Sequence, residues 1–210
     1  MKVLLVNGSP HAHGCTFRAL AEIEKTLREE GIETEIFQLG ADPIRGCTGC
    51  GACFKMKQNR CVHDGDAVNR VLDRCAEADG FVFGSPVHYA GACGEIICLM
   101  DRMFYAGSGL MRGKPAAAIV SARRAGTTAA IDQLNKYFTI SGMPIVPSQY
   151  WPMVHGTSPE DVEKDEEGLQ IMRQLARNMA WMLKSFALAR EHGILPPAPE
   201  TEKKRTNFIR

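Results

Sequence analysis

The sequence predicts an α/β fold, a doubly wound five-stranded parallel sheet with helices on both faces. Short apolar segments alternate with longer segments whose apolar residues recur at helical spacing. The first segment, residues 2–6, is a short apolar run of Val and Leu after Lys2, as buried parallel strands are. A chain of 210 residues, 45% hydrophobic and 23% charged, can bury the core of one such domain. We predict a single domain over residues 1–190 and a tail over residues 191–210.

The first half of the chain supplies two strands, two helices and a long cysteine-rich loop. Strand one covers residues 2–6 and is closed by Asn-Gly-Ser-Pro at 7–10. The first helix covers residues 15–30, because Leu20, Ile23 and Leu27 share a face and Gly31 can end it. Residues 33–39 form strand two, and residues 66–76 form a helix. Between them, residues 41–63 lack periodicity and contain four cysteines, which indicates a functional loop.

The second half continues the alternation and adds a C-terminal helix. Strand three covers residues 80–84, and a loop at 85–91 leads into a helix over 93–104. Strand four covers residues 114–120, a helix covers 126–140, and strand five starts at residue 144. One long helix starts after Ser158 as N-cap with Pro159 at its first position, and its apolar stripe continues to about residue 189. Residues 196–210 are predicted to be irregular or extended.

Composition excludes several classes of protein. Lys and Arg number 25 and Asp and Glu number 24, so there is no general attraction to nucleic acid or anionic lipid. The apolar runs are shorter than the ~18 residues of a membrane span, and the N-terminal run is too short for a signal peptide. We expect a cytoplasmic protein with no nucleic-acid or membrane partner. In a reducing cytosol, eight cysteines favour a metal or redox site over a disulfide scaffold.

The loop between strand one and the first helix has the features of a phosphate site. It follows the carboxyl end of a strand, where doubly wound sheets bind their ligands. Gly8, Gly14, the hydroxyls of Ser9 and Thr16, and free N–H groups at a helix N-terminus all suit a phosphate. The loop lacks both the P-loop pattern and the dinucleotide fingerprint. The alternative is a polar turn with an ordinary N-cap.

Three segments at three strand ends resemble the flavodoxin-like NAD(P)H-dependent FMN reductases. Asn-Gly-Ser-Pro at 7–10 with Gly-Cys-Thr at 14–16 resembles their FMN-phosphate loop. Gly-Ser-Pro-Val-His-Tyr-Ala-Gly at 84–91 resembles the Ser-Pro-x-Tyr loop that wraps the isoalloxazine ring. Residues 121–127 and the Asp-Arg pair at 101–102 match the same family, and the resemblance extends over residues 1–146. It implies a flavodoxin-like sheet of order 2-1-3-4-5.

The resemblance implies FMN as the cofactor and a set of residues that bind it. That set is Ser9, His11, Gly14, Cys15, Thr16, Ser85, Pro86, Val87, His88, Tyr89, Gly91, Ser121, Arg123 and Gly126. Tyr89 is expected to touch the flavin, whereas His88 is expected to contribute its backbone N–H and keep its side chain at the surface. The cofactor carries the chemistry, so no catalytic side chain is predicted. Without a separate nicotinamide domain, NAD(P)H stacks on the exposed flavin face, which predicts ping-pong kinetics.

Four cysteines form the most distinctive local pattern: Cys47, Cys50, Cys53 and Cys61, with the spacing C-x2-C-x2-C-x7-C. Three close cysteines with a fourth nearby favour a cubane cluster, because zinc sites more often use two separated pairs. The pattern resembles the motif of the iron–sulfur flavoproteins, which implies a 4Fe–4S cluster. Zinc, a thiol pair or a structural remnant are the alternatives. The other cysteines, Cys15, Cys75, Cys93 and Cys98, are expected to be packing residues.

The predicted function is an FMN-dependent oxidoreductase that uses NAD(P)H or a protein donor, with a 4Fe–4S cluster relaying single electrons. The alternatives are a cluster-free NAD(P)H:FMN or quinone reductase, a non-catalytic carrier like flavodoxin, and a zinc-stabilised module. Partners are small-molecule or protein electron donors and acceptors. Apolar residues in the helix over 170–184, namely Met172, Met179, Trp181 and Met182, predict a homodimer or homotetramer. We expect electron transfer across the subunit interface, because the two loops leave the sheet on opposite sides of strand one.

Overall fold

A parallel sheet between two layers of helices organises the computed structural model, which describes residues 1–202, 204 and 206. The strands are β1 (Lys2–Asn7), β2 (Glu33–Gln38), β3 (Gly80–His88), β4 (Gly91–Ala92), β5 (Ala116–Ala122) and β6 (Met153–His155). The helices are α1 (Cys15–Glu29), α2 (Ala52–Met56), α3 (Ala67–Glu77), α4 (Gly94–Met111), α5 (Thr127–Ile140), α6 (Pro159–Lys164) and α7 (Glu166–Glu191). The parallel order β2-β1-β3-β5-β6 confirms the predicted topology, with β4 as an antiparallel addition to β3.

Two hydrophobic cores lie on opposite faces of the sheet. Successive side chains of a strand point to opposite faces, so Val3 and Leu5 enter one core and Leu4 and Val6 enter the other. The first core is closed by α1 and α7, and the second by α3, α4 and α5. The side chains of these four β1 residues have no exposed surface, which explains why all four positions are apolar.

The fifth strand in the sheet lies further along the chain than predicted. Ile145 forms only an isolated bridge to Ala116, and the regular strand is β6, which pairs with the end of β5. Pro147 and Pro152 lie between the bridge and the strand. Proline has no N–H to donate to a ladder, so the chain cannot pair continuously from residue 144. The prediction of a strand starting at residue 144 was therefore wrong.

The C-terminal helix is broken near its start. Ser158 caps α6 by accepting a hydrogen bond from the Asp161 N–H, as predicted, but α6 ends at Lys164. Asp165 has non-helical angles (φ −80°, ψ 72°) and accepts hydrogen bonds from the N–H groups of Gly168 and His155. It is thus the N-cap of α7, which replaces the single predicted helix by two. Residues 194–200 have no regular structure, and residues 203, 205 and 207–210 of the predicted tail lie outside the described residues.

The predicted loop at 85–91 is a β-hairpin. β3 continues to His88 and turns back through Tyr89 and Ala90, whose φ angles are 49° and 62°. Two positive φ values at the turn match the strand twist of a type I′ hairpin, although neither residue is the usual Gly or Asn. The cysteine-rich loop also contains α2, which was not predicted, and α4 continues past residue 104 with a kink at Gly107. Among the described helices, none is long and apolar enough to cross a membrane.

Candidate functional site

Four strand ends surround a cavity of about 690 Å³. Its wall is formed by the C-terminal ends of β3 and β5 and by the segments that follow β1, β5 and β6. Of the fourteen residues predicted to bind FMN, ten line this cavity: Ser9, His11, Gly14, Cys15, Thr16, Pro86, Val87, His88, Ser121 and Arg123. The three loops singled out in the sequence therefore converge on one volume, as the carboxyl ends of parallel strands must.

The loop after β1 is held in place by close backbone packing. The Gly8 N–H donates to the carbonyl of Gly84 on β3 at 2.8 Å. A Cβ at Gly8 would lie 2.7 Å from that oxygen, so this position requires glycine. The Asn7 carboxamide oxygen accepts from the Ser9 N–H at 3.1 Å, and the Gln38 side chain donates to the Ser9 carbonyl at 2.7 Å. The loop is thus fixed from both neighbouring strands.

The start of α1 provides hydrogen-bond donors for an anion. Its N-cap is Gly14, which has no side chain to accept from the first turn, and that turn has no acidic residue. The first N–H groups of a helix have no intrahelical partner and favour negative charge. Ser9 Oγ accepts from the His11 N–H at 3.1 Å and keeps its own proton available to a ligand. These features fit the phosphate of FMN.

The Thr16 hydroxyl has a partner within the protein. Its Oγ1 lies 2.8 Å from Ser121 Oγ, and both residues are buried. This bond ties α1 to the end of β5. Thr16 therefore lines the cavity while its hydroxyl shares a hydrogen bond with Ser121, whereas the Ser9 hydroxyl accepts only from a backbone N–H. The two hydroxyls that the sequence assigned to a phosphate therefore have different partners within the protein.

Four predicted residues lie outside the cavity. Ser85 is buried behind it, where its Oγ accepts from the Cys93 N–H at 3.0 Å and donates to the Pro86 carbonyl at 2.8 Å. Tyr89 is fully exposed at the hairpin turn, and Gly91 belongs to β4. Gly126 caps α5 with φ 90°, and a Cβ there would lie 2.5 Å from Ala90 Cα. Ser85 and Gly126 therefore hold the loops that line the cavity.

The segment after β6 was missed by sequence reasoning. Gly156, Thr157, Ser158 and Pro159 line the cavity, together with Pro10, Ala12, His13 and Ala122 of the recognised loops. A strand placed at 153–155 would have predicted this fourth loop from topology alone. Within the wall, Cys15 Sγ lies 3.6 Å from the Gly156 carbonyl. Burial raises the pKa of the Cys15 thiol, aided by Asp161 and Glu160 and opposed by the Cys15 N–H.

The four predicted metal ligands all line a second cavity, of about 270 Å³. Cys47 and Cys50 are exposed, whereas Cys53 and Cys61 are partly buried, and none of the four forms a disulfide. Gly49 and Gly51 have positive φ angles of 65° and 68°, which allow the tight turns between the first three cysteines. A hydrogen bond from the Ala52 N–H, and then one from Thr48, lowers the pKa of Cys50.

The arrangement of these thiols distinguishes between kinds of metal site. Across the part of the chain that the structure describes, no group of three His, Cys, Asp or Glu side chains is placed to hold one metal ion. Zinc bonds of 2.3 Å in tetrahedral geometry require sulfurs roughly 3.8 Å apart. A polynuclear cluster instead takes one thiolate at each of several irons, so its ligands surround a volume. Four cysteines around a cavity fit a cluster better than they fit zinc.

Helix α4 runs from beside the loop after β1 to the wall of the second cavity. At its start, Cys93 Sγ lies 3.1 Å from the carbonyl of Gly8 in the first cavity's loop. Arg102, nine residues later, lines the cysteine cavity. Since a helix rises 1.5 Å per residue, these two positions are roughly 14 Å apart along the axis. Of the other cysteines, Cys75 and Cys93 are buried as expected and Cys98 is partly buried.

Comparisons with known proteins agree with this geometry. The family model described as NADPH-dependent FMN reductase matches residues 1–158. An iron-sulfur flavoprotein of Methanocaldococcus jannaschii is 33% identical over 193 residues, which cover 88% of this chain and 98% of that protein. One from Archaeoglobus fulgidus is 29% identical over 192 residues, covering 86% and 96%. A solved flavodoxin from the domain Archaea, 16% identical, has a TM-score of 0.59 over 88% of this chain and 99% of its own. These matches confirm the predicted resemblance and fold.

Proposed function

This chain belongs to the NADPH-dependent FMN reductase family and is an FMN-dependent oxidoreductase, and from that premise we propose that NAD(P)H or a protein donor reduces it and that a 4Fe–4S cluster relays its electrons. The observation that carries the proposal is the pair of cavities. One collects the predicted FMN loops at the sheet edge, and the other collects all four predicted cysteine ligands.

Residues of the first cavity have separable tasks. The N-terminus of α1 and the Ser9 hydroxyl suit the phosphate, and Arg123 adds an exposed positive charge at the rim. The Pro86–His88 segment at the end of β3 suits the polar edge of the ring. When bound, FMN accepts a hydride and passes electrons singly or in pairs. Donor and acceptor would then react with the bound flavin in turn, which predicts ping-pong kinetics.

The second cavity suits a role in single-electron transfer. Cys47, Cys50, Cys53 and Cys61 would hold the cluster, which would supply one-electron chemistry to complement the two-electron chemistry of the flavin. Along α4, Cys93 beside the loop after β1 and Arg102 in the wall of the second cavity are roughly 14 Å apart. We therefore expect the closest contact between flavin and cluster to form across a subunit boundary.

Oligomerisation is the second part of the proposal. Of the four residues expected to form excess apolar surface, Met172 and Met179 are fully buried in the chain's own core. Trp181 is 69% exposed and Met182 is partly buried, so the candidate surface is smaller than predicted. Sedimentation velocity at micromolar concentration is expected to give a multiple of the 23.1 kDa chain mass. A 23.1 kDa species would rule out the homodimer and the homotetramer.

Anaerobic purification followed by iron and FMN assays tests the relay directly. Wild-type protein is expected to contain FMN and iron, and Cys50→Ser is expected to retain FMN but lose iron. Cys98→Ser, a partly buried cysteine of α4 that packs beside Gly46 but does not line the cavity, is the matched control and is expected to keep both. In Cys50→Ser, NAD(P)H should still bleach the flavin while reduction of one-electron acceptors slows. FMN without iron in wild type, with Cys50→Ser unchanged, would identify a cluster-free reductase. Absence of NAD(P)H oxidation would favour a non-catalytic carrier.

A further inference from the structure

Arg102 is a charged side chain with only 1% of its surface exposed. It lies on α4 between Asp101 and Met103, and its guanidinium points at the cysteine-rich segment, residues 45–66. The guanidinium donates to four acceptors of this segment: the carbonyl of Arg45 at 3.1 Å, the carbonyl of His63 at 2.5 Å, Cys61 Sγ at 3.3 Å and the Asp66 carboxylate. One side chain thus holds both ends of the segment and one of its cysteines.

Cys61 is also fixed through its backbone. Its N–H donates to the Asn69 side-chain oxygen at 2.9 Å, and its carbonyl accepts from the Asn69 amide nitrogen at 3.0 Å. Asn69 is 2% exposed and belongs to α3. Cys47 and Cys50, in contrast, are exposed and are flanked by glycines. The site is therefore asymmetric, with one rigid cysteine and two on a more adaptable turn.

A buried guanidinium is costly unless its charge and its donors are used. The Asp66 carboxylate neutralises the guanidinium charge, and the other N–H groups of the guanidinium donate to Arg45, Cys61 and His63 of the cysteine-rich segment. A hydrogen bond from an N–H group to a cysteine sulfur stabilises negative charge on that sulfur. Hydrogen bonds to cluster sulfurs are among the factors that set the reduction potentials of iron–sulfur centres. The Nε–H of Arg102 is placed to act in this way on Cys61.

We infer that Arg102 is a positioning residue that presents Cys61 as a preformed cluster ligand and raises the reduction potential of the cluster. The inference rests on the proposed cluster, but the folding of the segment around Arg102 does not. Removal of the guanidinium alone would leave the Asp66 carboxylate without its partner, so the informative variant removes both charges. In Arg102→Gln/Asp66→Asn the new amide can still cap α3, where Asp66 now accepts from the Val68 N–H.

The experiment compares four proteins that all retain the FMN loops. Arg102→Gln/Asp66→Asn is expected to keep FMN, to lose iron to a chelator roughly tenfold faster than wild type, and to show a more negative cluster potential. Arg102→Lys keeps the positive charge without the forked N–H donors of arginine. Its rate of iron loss and its cluster potential are expected to lie between those of wild type and the double variant. The matched control is Arg45→Gln, which removes an exposed charge from the same segment and is expected to match wild type.

A second measurement needs no iron. In metal-free protein, trypsin is expected to cut after Lys55, Lys57 or Arg60 faster in the double variant than in Arg45→Gln, as read by mass spectrometry. If the double variant matches the control in iron loss, cluster potential and tryptic rate, Arg102 has no positioning role. Wild-type protein without iron would overturn the cluster relay instead. Faster tryptic cleavage would in that case still support the positioning of the segment by Arg102.

Discussion

Replacing Gly8 by alanine tests the contact that shapes the first cavity. The added Cβ would lie 2.7 Å from the Gly84 carbonyl oxygen and 2.9 Å from Ile96 Cβ. The oxygen is backbone and the isoleucine is fully buried, so neither can move freely. Overpacking of this kind costs about 1–3 kcal/mol, and weakening the 2.8 Å bond from Gly8 to Gly84 adds about 1 kcal/mol. We expect the free energy of unfolding of Gly8→Ala to be about 2–4 kcal/mol lower than that of wild type.

The same displacement moves the loop that precedes α1. We expect the FMN dissociation constant to rise about tenfold, which corresponds to about 1.4 kcal/mol. Urea unfolding followed by circular dichroism measures the first effect, and flavin fluorescence titration measures the second. Gly109→Ala is the matched control. That glycine is exposed in α4 with nothing within 4 Å of the new Cβ, so stability should rise by up to about 1 kcal/mol. Wild-type stability and FMN affinity in Gly8→Ala would refute the close-approach reasoning.

Two further changes separate binding from stability. Ser9→Ala should weaken FMN binding, because a hydrogen bond to a charged group is worth about 1.5–3 kcal/mol, whereas Thr16→Val should mainly lower the urea midpoint by breaking the bond to Ser121; equal losses of affinity in flavin titrations would contradict this division. Burial opposes the charge of Glu22, but hydrogen bonds from Arg173 and Arg18 outweigh it and lower its pKa. A carboxylate whose pKa is lowered by folding stabilises the folded state at pH values above its unfolded pKa of about 4.3. This stabilisation is lost as the pH falls from that value through the lower folded-state pKa. Glu22→Gln should thus cost about 1–3 kcal/mol at pH 7 and much less near pH 3, and a pH-independent difference in urea unfolding would count against the ion-pair explanation.

The elements that the sequence predicted correctly are those whose pattern of apolar residues is local. β1 and α1 follow from apolar pattern alone, and three loops at three strand ends predicted the first cavity because the strands are parallel. β6 has three residues and follows Pro152 directly, so periodicity cannot find it, and the cavity wall at 156–159 was lost with it. Asp165 lies in a segment whose pattern predicts a helix. The helix is interrupted there because the Asp165 carboxylate accepts from the His155 N–H of β6, a strand that the sequence did not reveal.

The cysteine site shows the same division. The spacing identified the four cysteines, which the fold does place around one cavity. The Asp-Arg pair at 101–102 was assigned to the family resemblance, but Arg102, a charge between the buried residues Met100 and Met103, was given no role at the cysteine site. Its partners at Cys61 and Asp66 come from a segment about forty residues away, brought there only by tertiary folding.

The span of α4 between the two cavities also limits how this protein can vary in length. One residue inserted between Cys93 and Arg102 would turn the guanidinium by about 100° around the helix and remove it from all four acceptors. The segment around Lys57 and Asn59 is exposed and already has positive φ angles at both residues. Extra residues there lengthen a surface turn at small entropic cost. Insertions and deletions among homologues should therefore accumulate around residues 55–59, while the stretch from Cys93 to Arg102 keeps a constant count.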